Sequence, residues 1–384
     1  MSKLIVEVCR VKDVKEHPNT DRLEILQIKG WDVVAGKDSV KKDDLVVFIP
    51  PDAVLPERLH KHLNITKYCA ELPKNADGSR PTARRVKAAR LRGVPSYGTI
   101  MPMNSLIDYL MDGDHYTPED ILNEYVEGKD ACEALGITKW EPPIKATQGD
   151  AERDHPRFHK YTNIENWRNH PDLFTPDDIV ICTEKIHGTN CRVGFGQSDN
   201  YAEDKEYTYM AGSHNVRKKK PEGEDQTSLY WMPFVWESRL KQMLFELWEE
   251  HCAEKDKHDA VVIVFGEIYG AGVQDMHYDC PNGKGFRAFD ISIGGEYMGH
   301  EKFKVFKKYE IPYVPIVYTG PYDPDRIKLL TDGETNLGSQ QKFKGREGIV
   351  ITPVQESHDP LLGRRILKSV SVDYLSRKGG SDGH

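Results

Sequence analysis

Glu184-Lys185-Ile186-His187-Gly188-Thr189-Asn190 follows the apolar run Ile179-Val180-Ile181-Cys182. A short run rich in β-branched residues reads as a buried strand, and this one delivers Lys185 to a turn built around Gly188. A lysine so placed is positioned rather than merely solvated. When desolvated beside cationic neighbours it loses its proton more easily and becomes a nucleophile able to form a covalent intermediate. A K-x-x-G by itself is more often a surface lysine before a turn, so partners elsewhere in the chain must carry the argument.

Four further stretches supply them: Phe265-Gly266-Glu267-Ile268-Tyr269-Gly270, Phe286-Arg287-Ala288-Phe289-Asp290-Ile291, Arg346-Glu347-Gly348-Ile349-Val350 and Ile366-Leu367-Lys368-Ser369. Together with Lys185-Ile186-His187-Gly188-Thr189-Asn190 they resemble motifs I, III, IIIa, IV and V of the covalent nucleotidyltransferases, in order. The form of motif I with His187 at its third position is similar to that of ATP-dependent RNA ligases of the phage RNA-end-sealing type. The resemblance runs from about Phe158 to Leu375 and opens at Phe158-His159-Lys160-Tyr161-Thr162-Asn163-Ile164-Glu165-Asn166.

The chain has 384 residues, enough for two or three domains with their own cores. No run of eighteen apolar residues occurs, so no membrane-spanning helix is expected. The N-terminus, broken by Lys3, Glu7, Arg10 and Lys12, lacks the apolar core of a signal peptide. Seven scattered cysteines without a C-x-x-C pair argue against a structural zinc or a disulfide framework. They point to a reducing cytoplasm, the host's if the chain is viral. The net charge of −8 argues against a protein that coats nucleic acid. Locally, though, Arg80 to Arg92 holds six basic residues and no acid, and Arg217 to Lys220 is unbroken basic sequence. From Asp108 to Asp154 acids outnumber bases roughly three to one. A basic face beside an acidic connector suits local grip on phosphates. G-x-x-x-x-G-K-[ST] is absent, which disfavours a P-loop enzyme.

Residues 1–105 read as many short strands with little helix, the pattern of a small closed barrel. His17-Pro18-Asn19-Thr20-Asp21-Arg22-Leu23 resembles the opening of tRNA-binding oligonucleotide-binding (OB) barrels and the N-terminal module of one RNA-ligase subgroup. The same residues also suit a plain turn capped by Asp21. Trp31 and Tyr97 are available to stack on bases beside the basic stretch Arg84 to Arg92. Residues 106–154 are expected as an acidic linker with a helix from about Pro118 to Leu135, Pro118 lying in its first turn. Residues 155–378 form the expected adenylyltransferase domain, and 379–384 a flexible tail. Within that domain a helix from about Glu237 to Ala253 presents a core stripe. The long loop from Gly270 to Gly285 has the length of a functional loop. The whole is predicted to be α+β, an OB-type barrel followed by a nucleotidyltransferase domain built on antiparallel sheets.

The resemblance implies three phosphoryl transfers. Lys185 attacks ATP and becomes a lysyl-adenylate, AMP passes to an RNA 5′-phosphate, and a 3′-hydroxyl displaces AMP. It assigns Lys368 to the α-phosphate and to easing the loss of the Lys185 proton. Glu347 is assigned to Mg²⁺ or Mn²⁺, Glu267 to the ribose hydroxyls and Phe289 to stacking on adenine. Glu184 and the backbone at Ile186 would read the adenine edge, Asn190 would contact ribose or the RNA end, and His187 would act in the RNA-end steps. Two departures stand out: the motif Ia position holds His214, for which Arg217 can substitute, and Val370 stands where a second motif V lysine is usual. The expected partner is RNA, as a nicked duplex or bridged ends, with the protein a monomer acting in RNA repair. The competing readings are a DNA ligase or a capping guanylyltransferase on the same core, and a non-catalytic RNA-binding protein.

Overall fold

The computed structural model describes residues 3–384 apart from 76, 112–116, 142–148, 199–206, 224–227, 253–259, 279, 339–342, 344, 378–379 and 383–384. The chain folds as two compact units that are not consecutive in sequence. One gathers Met1–Pro143, Ile164–Phe174 and Leu367–His384, and the other Ile144–Asn163 and Thr175–Ile366. This differs from the expected serial division at residues 105, 154 and 378.

In the first unit the strand Leu45–Ile49 lies between Glu7–Arg10 and Thr99–Pro102, all antiparallel. Asp13–Glu16, Leu23–Ile28 and Trp31–Gly36 form a meander. Ala88–Leu91 and Val94–Tyr97 make a hairpin whose turn residues, Arg92 and Gly93, both have positive φ (46° and 90°). That is the turn whose twist matches two paired strands. The acidic segment is not a linker. Leu106 and Tyr109 of the helix Met103–Met111, with Ile121, Tyr125, Leu135 and Ile137, are buried in the same core as Val6, Val8, Val47, Ile49 and Met101. Its second helix is shorter than predicted, Pro118–Glu124, with a Thr117–Asp120 capping box. It stops because Gly128, at φ 88°, turns the chain so that Lys129 and Ala131 can hydrogen-bond to Val8 and Val6. Low mean hydropathy hid these few core positions among charges.

The second unit is built on a six-stranded antiparallel sheet in the order Arg217–Lys218, Tyr207–Ser213, Thr189–Gln197, Val261–Gly270, Lys284–Ile293 and Glu296–Tyr297. The helix Leu240–Cys252 covers it, burying the predicted stripe Leu240, Met243, Leu244, Leu247, Trp248 and Cys252. A second group of strands places Ile179–Lys185 between Ile316–Pro321 and Gly348–Pro353. The turn after Lys185 therefore carries the chain from this group into the large sheet.

Candidate active site

Lys185 ends the strand Ile179–Lys185 and pairs in register with Gly348, which brings the preceding residue, Glu347, beside it. The Lys185 Nζ lies 2.6 Å from Glu347 Oε1, with the side chains 14% and 1% exposed. The neighbour is thus a carboxylate and not the cation expected there. Gly188 is a steric necessity: a Cβ there would stand 2.2 Å from the Ile268 carbonyl oxygen and 2.9 Å from Glu267 Cγ. This close approach draws the turn against the strand Val261–Gly270. Asn190 and Glu267 then lie directly opposite on paired strands, with Arg287 opposite Glu267 on the next. The Asn190 side-chain oxygen is buried without a hydrogen-bond partner. Burial raises the Glu267 carboxyl to about 8; Lys185 opposes the rise and Glu347 adds to it.

The His187 ring is 5% exposed as a residue and lies between two carboxylates. Its Nε2 is 3.0 Å from Asp275 Oδ1 and its Nδ1 3.7 Å from Glu347 Oε2. The His187 backbone N–H donates to the Tyr278 hydroxyl at 2.6 Å. Glu184 and Lys185, consecutive in one strand, face opposite sides. Glu184 is 1% exposed and accepts from the Thr335 hydroxyl and, at 2.8 Å, from the Asn336 N–H. Burial raises its carboxyl, with these hydrogen bonds opposing. Ile186 is buried at 4%.

Phe289 occupies a β-bulge. Phe265 pairs with Asp290 and Gly266 with Ala288, so Phe289 has no residue opposite it, the arrangement that re-aims a side chain beside a site. Its ring meets Tyr161 edge-on at 4.9 Å. Asp290 fixes the far side of the bulge. It is 1% exposed and binds Lys302 at 2.9 Å, Arg364 at 2.7 Å and the Tyr161 hydroxyl at 2.7 Å. Burial would raise its carboxyl, but Lys302 and Arg364 outweigh that and lower it.

The remaining expected site residues have protein partners of their own. Arg217 is 6% exposed and pairs with Glu152 at 3.2 Å, while Lys218 pairs with Asp150 at 2.7 Å, so these two cations of the basic run are spent on the segment 150–152. His214 is partly buried, which lowers its ring below the ordinary histidine value. Lys368 belongs to the first unit. Its side chain is 3% exposed, and its amine donates to the Asp382 carbonyl and lies 3.5 Å from the Asp382 carboxylate. Val370, 1% exposed, is a core residue. Gly380 and Ser381 are buried and Ser381 donates to Asp52 at 2.9 Å, so the described part of the tail is fixed rather than flexible.

The barrel's expected stacking surface is also spent. Trp31 and Tyr97 are 2% and 3% exposed, and the Arg168 guanidinium lies 4.1 Å above the Tyr97 ring. Arg85 binds the buried Asp52, Lys87 donates to the Ser376 and Arg377 carbonyls, and Arg90 pairs with Asp373 at 2.7 Å. In His17-Pro18-Asn19, His17 contacts the Leu91 carbonyl at 3.1 Å and Asn19 donates to the Arg92 carbonyl at 2.8 Å, so this motif shapes the hairpin turn.

Among the described residues no group of three or more His, Cys, Asp or Glu forms a metal cage. The residues still fit a hydrated divalent ion, which takes one or two carboxylates and keeps several waters, because the buried Glu347 Oε2 has no hydrogen-bond partner. Asp275, Tyr278, Thr335 and Asn336 escaped the sequence reading. The length of the loop after Gly270 was the signal available for the first two.

A family model described as RNA ligase matches residues 178–370. A model of an OB-fold domain matches residues 5–103. Among solved structures, Naegleria gruberi RNA ligase with PPi is 22% identical, with 97% of this chain and 98% of that chain covered and a TM-score of 0.68. A glutamate-to-alanine variant of it with AMP and Mn is 21% identical over 99% and 100%, with a TM-score of 0.70. A lysine-to-alanine variant with ATP and Mn is 21% identical over 98% and 100%, with a TM-score of 0.69. At these identities the likeness concerns the fold. A stretch of 145 residues is 30% identical to the phenylalanine–tRNA ligase beta subunit of Neisseria gonorrhoeae, covering 35% of this chain and only 15% of that protein. No helix among the described residues is long and apolar enough to cross a membrane.

Proposed function

The chain belongs to the RNA ligase family, and on that premise we propose that it seals RNA 3′-hydroxyl and 5′-phosphate ends with ATP, through AMP carried on Lys185. The observation that carries this reading is the buried pairing of Lys185 with Glu347 at 2.6 Å, within a set that also holds Glu267, Asn190 and His187. The Naegleria gruberi ligase structures with ATP, AMP, PPi and Mn support the same substrate and a divalent ion here.

Lys185 Nζ attacks the α-phosphorus of ATP and pyrophosphate leaves. An oxygen of the RNA 5′-phosphate then takes the AMP, and a 3′-hydroxyl finally displaces AMP to form the phosphodiester. Phe289, re-aimed by its bulge, stacks on the adenine, and Glu267 and Asn190 meet the ribose on one sheet face. Arg287 adds positive charge to that face. Glu347 would hold Mg²⁺ or Mn²⁺, which neutralises phosphate charge and competes with Lys185 for the carboxylate. Lys368 is assigned to the ATP phosphates by its motif position. The substrate is a nicked duplex or bridged ends, the protein acts as a monomer, and the setting is RNA repair.

Incubation with α-labelled ATP and magnesium tests the reading. Wild type is expected to take up the label covalently and Lys185→Ala to lose it. A label retained by Lys185→Ala, or one taken only from GTP, would overturn it. On nicked duplexes the strand supplying the 3′-hydroxyl is expected to need RNA at its end, since the 2′-hydroxyl is what distinguishes RNA from DNA. Equal sealing of an all-DNA nick would contradict that specificity.

A further inference from the structure

The connection between the strands Val261–Gly270 and Lys284–Ile293 does more than join a hairpin. Tyr278 sits there at φ 51°, a left-handed conformation that a bulky residue adopts only under constraint from its surroundings. It is 0% exposed, its ring meets Tyr269 edge-on at 5.4 Å, and its hydroxyl accepts the His187 N–H at 2.6 Å. Three residues earlier, Asp275 is held out on the exposed part of the loop, yet its Oδ1 is 3.0 Å from His187 Nε2. One segment therefore grips His187 twice, by its main chain and by its ring. The grip fixes the direction of the ring: with Nε2 held beside Asp275, Nδ1 is turned toward Glu347 Oε2, 3.7 Å away, and Glu347 is the carboxylate that binds Lys185.

We propose that Asp275 and Tyr278 are positioning residues for His187 in the transfer of AMP from Lys185 to the RNA 5′-phosphate, and are dispensable for loading Lys185 from ATP. In that step an RNA phosphate oxygen attacks phosphorus, the lysine Nζ–phosphorus bond breaks with its electron pair going to nitrogen, and the lysine leaves as an amine that takes up a proton from water. No other reactant is needed. The loop bears on this step because in the reading above Phe289, Glu267, Asn190 and Glu347 take the nucleotide, whereas His187, which the loop holds, has no part in binding ATP and lies beside Glu347, where the second substrate must arrive. The inference rests on the AMP-transfer reading above.

The test separates the two steps. Loading is measured as label bound from α-labelled ATP without RNA. Transfer is measured in a single turnover, by mixing isolated adenylylated protein with a nicked RNA duplex carrying a 5′-phosphate. Asp275→Ala is expected to load within about two-fold of wild type but to transfer roughly 10²-fold more slowly, the scale of a misplaced reacting group. Asp275→Asn, which keeps a hydrogen-bonding side chain beside Nε2, should recover part of that loss, and Tyr278→Phe should slow transfer more than loading. Because Asp275 is exposed, its variants are expected to keep the wild-type thermal midpoint. Transfer by Asp275→Ala at the wild-type rate, loading reduced in proportion to transfer, or an Asn variant no better than Ala would each overturn the proposal. A wild-type protein that loads no AMP at all would sink the underlying reading instead, and is told apart by the first measurement.

Discussion

Gly188 is where a single hydrogen atom decides the geometry of the Lys185 turn, because a methyl group in its place would press on the Ile268 carbonyl at 2.2 Å. That oxygen is backbone in a central strand and cannot swing aside. Gly188→Ala is expected to cost about 1–3 kcal/mol by overpacking and to slow Lys185 loading roughly 10²-fold by moving the turn. Urea unfolding and uptake of labelled ATP check the two effects. Glu267 gives a pH signature. Its carboxyl is raised from the ordinary 4.5 to about 8, so between those values the folded protein holds a proton that the unfolded chain has released. The stability this group contributes therefore falls as pH rises through that window. In metal-free buffer, Glu267→Gln should gain on wild type in thermal midpoint from pH 5 to pH 8. A gap that stays flat would mean the carboxyl is ionised throughout. At this scale the sequence was informative about identity and silent about partners. Lys185 and Glu347 are legible because a strand end and a motif mark them, whereas Asp275 and Tyr278 reach His187 from about ninety residues away.

The β-bulge at Phe289 shows how an element re-directs a residue. Strict alternation would set Phe289 opposite a partner on the strand Val261–Gly270, but the register slips by one and Asp290 is locked behind it by Lys302 and Arg364. Phe289→Ala is expected to raise the KM for ATP in the loading step by about 5- to 150-fold, the equivalent of about 1–3 kcal/mol of base stacking. It should leave kcat less affected, and Phe289→Tyr should retain most of the affinity. A change in kcat alone would argue that the ring does not touch the nucleotide. Strands and the amphipathic helix Leu240–Cys252 were readable because periodicity is local. The slip was not, since it depends on which residue of one strand faces which residue of another. The acidic stretch after residue 105 misled for a related reason. Leu106, Tyr109, Ile121 and Tyr125 are too few to lift its average, yet each is placed on the covered side of its turn.

Across the whole molecule, the catalytic motifs keep their order while the compact units do not follow it. The first unit draws on Met1–Pro143, Ile164–Phe174 and Leu367–His384, so the backbone leaves and re-enters it in mid-sequence. Composition can mark a change of character near residue 105 but cannot reveal that Trp167 and Arg168, far downstream, are 1% and 3% exposed within the same unit as Trp31 and Tyr97. A fragment of residues 155–384 would bare Trp167 and strip Arg168 of Tyr97. Losing the cover of each large apolar side chain costs about 1.5–3 kcal/mol, so this fragment should aggregate or lack near-ultraviolet circular dichroism of a packed core, while the full chain shows it. A soluble, well-packed fragment would mean those contacts are incidental. The braided path also bears on descent. Recombination at a single crossover cannot exchange the first unit whole, because three separate pieces of gene would have to change together.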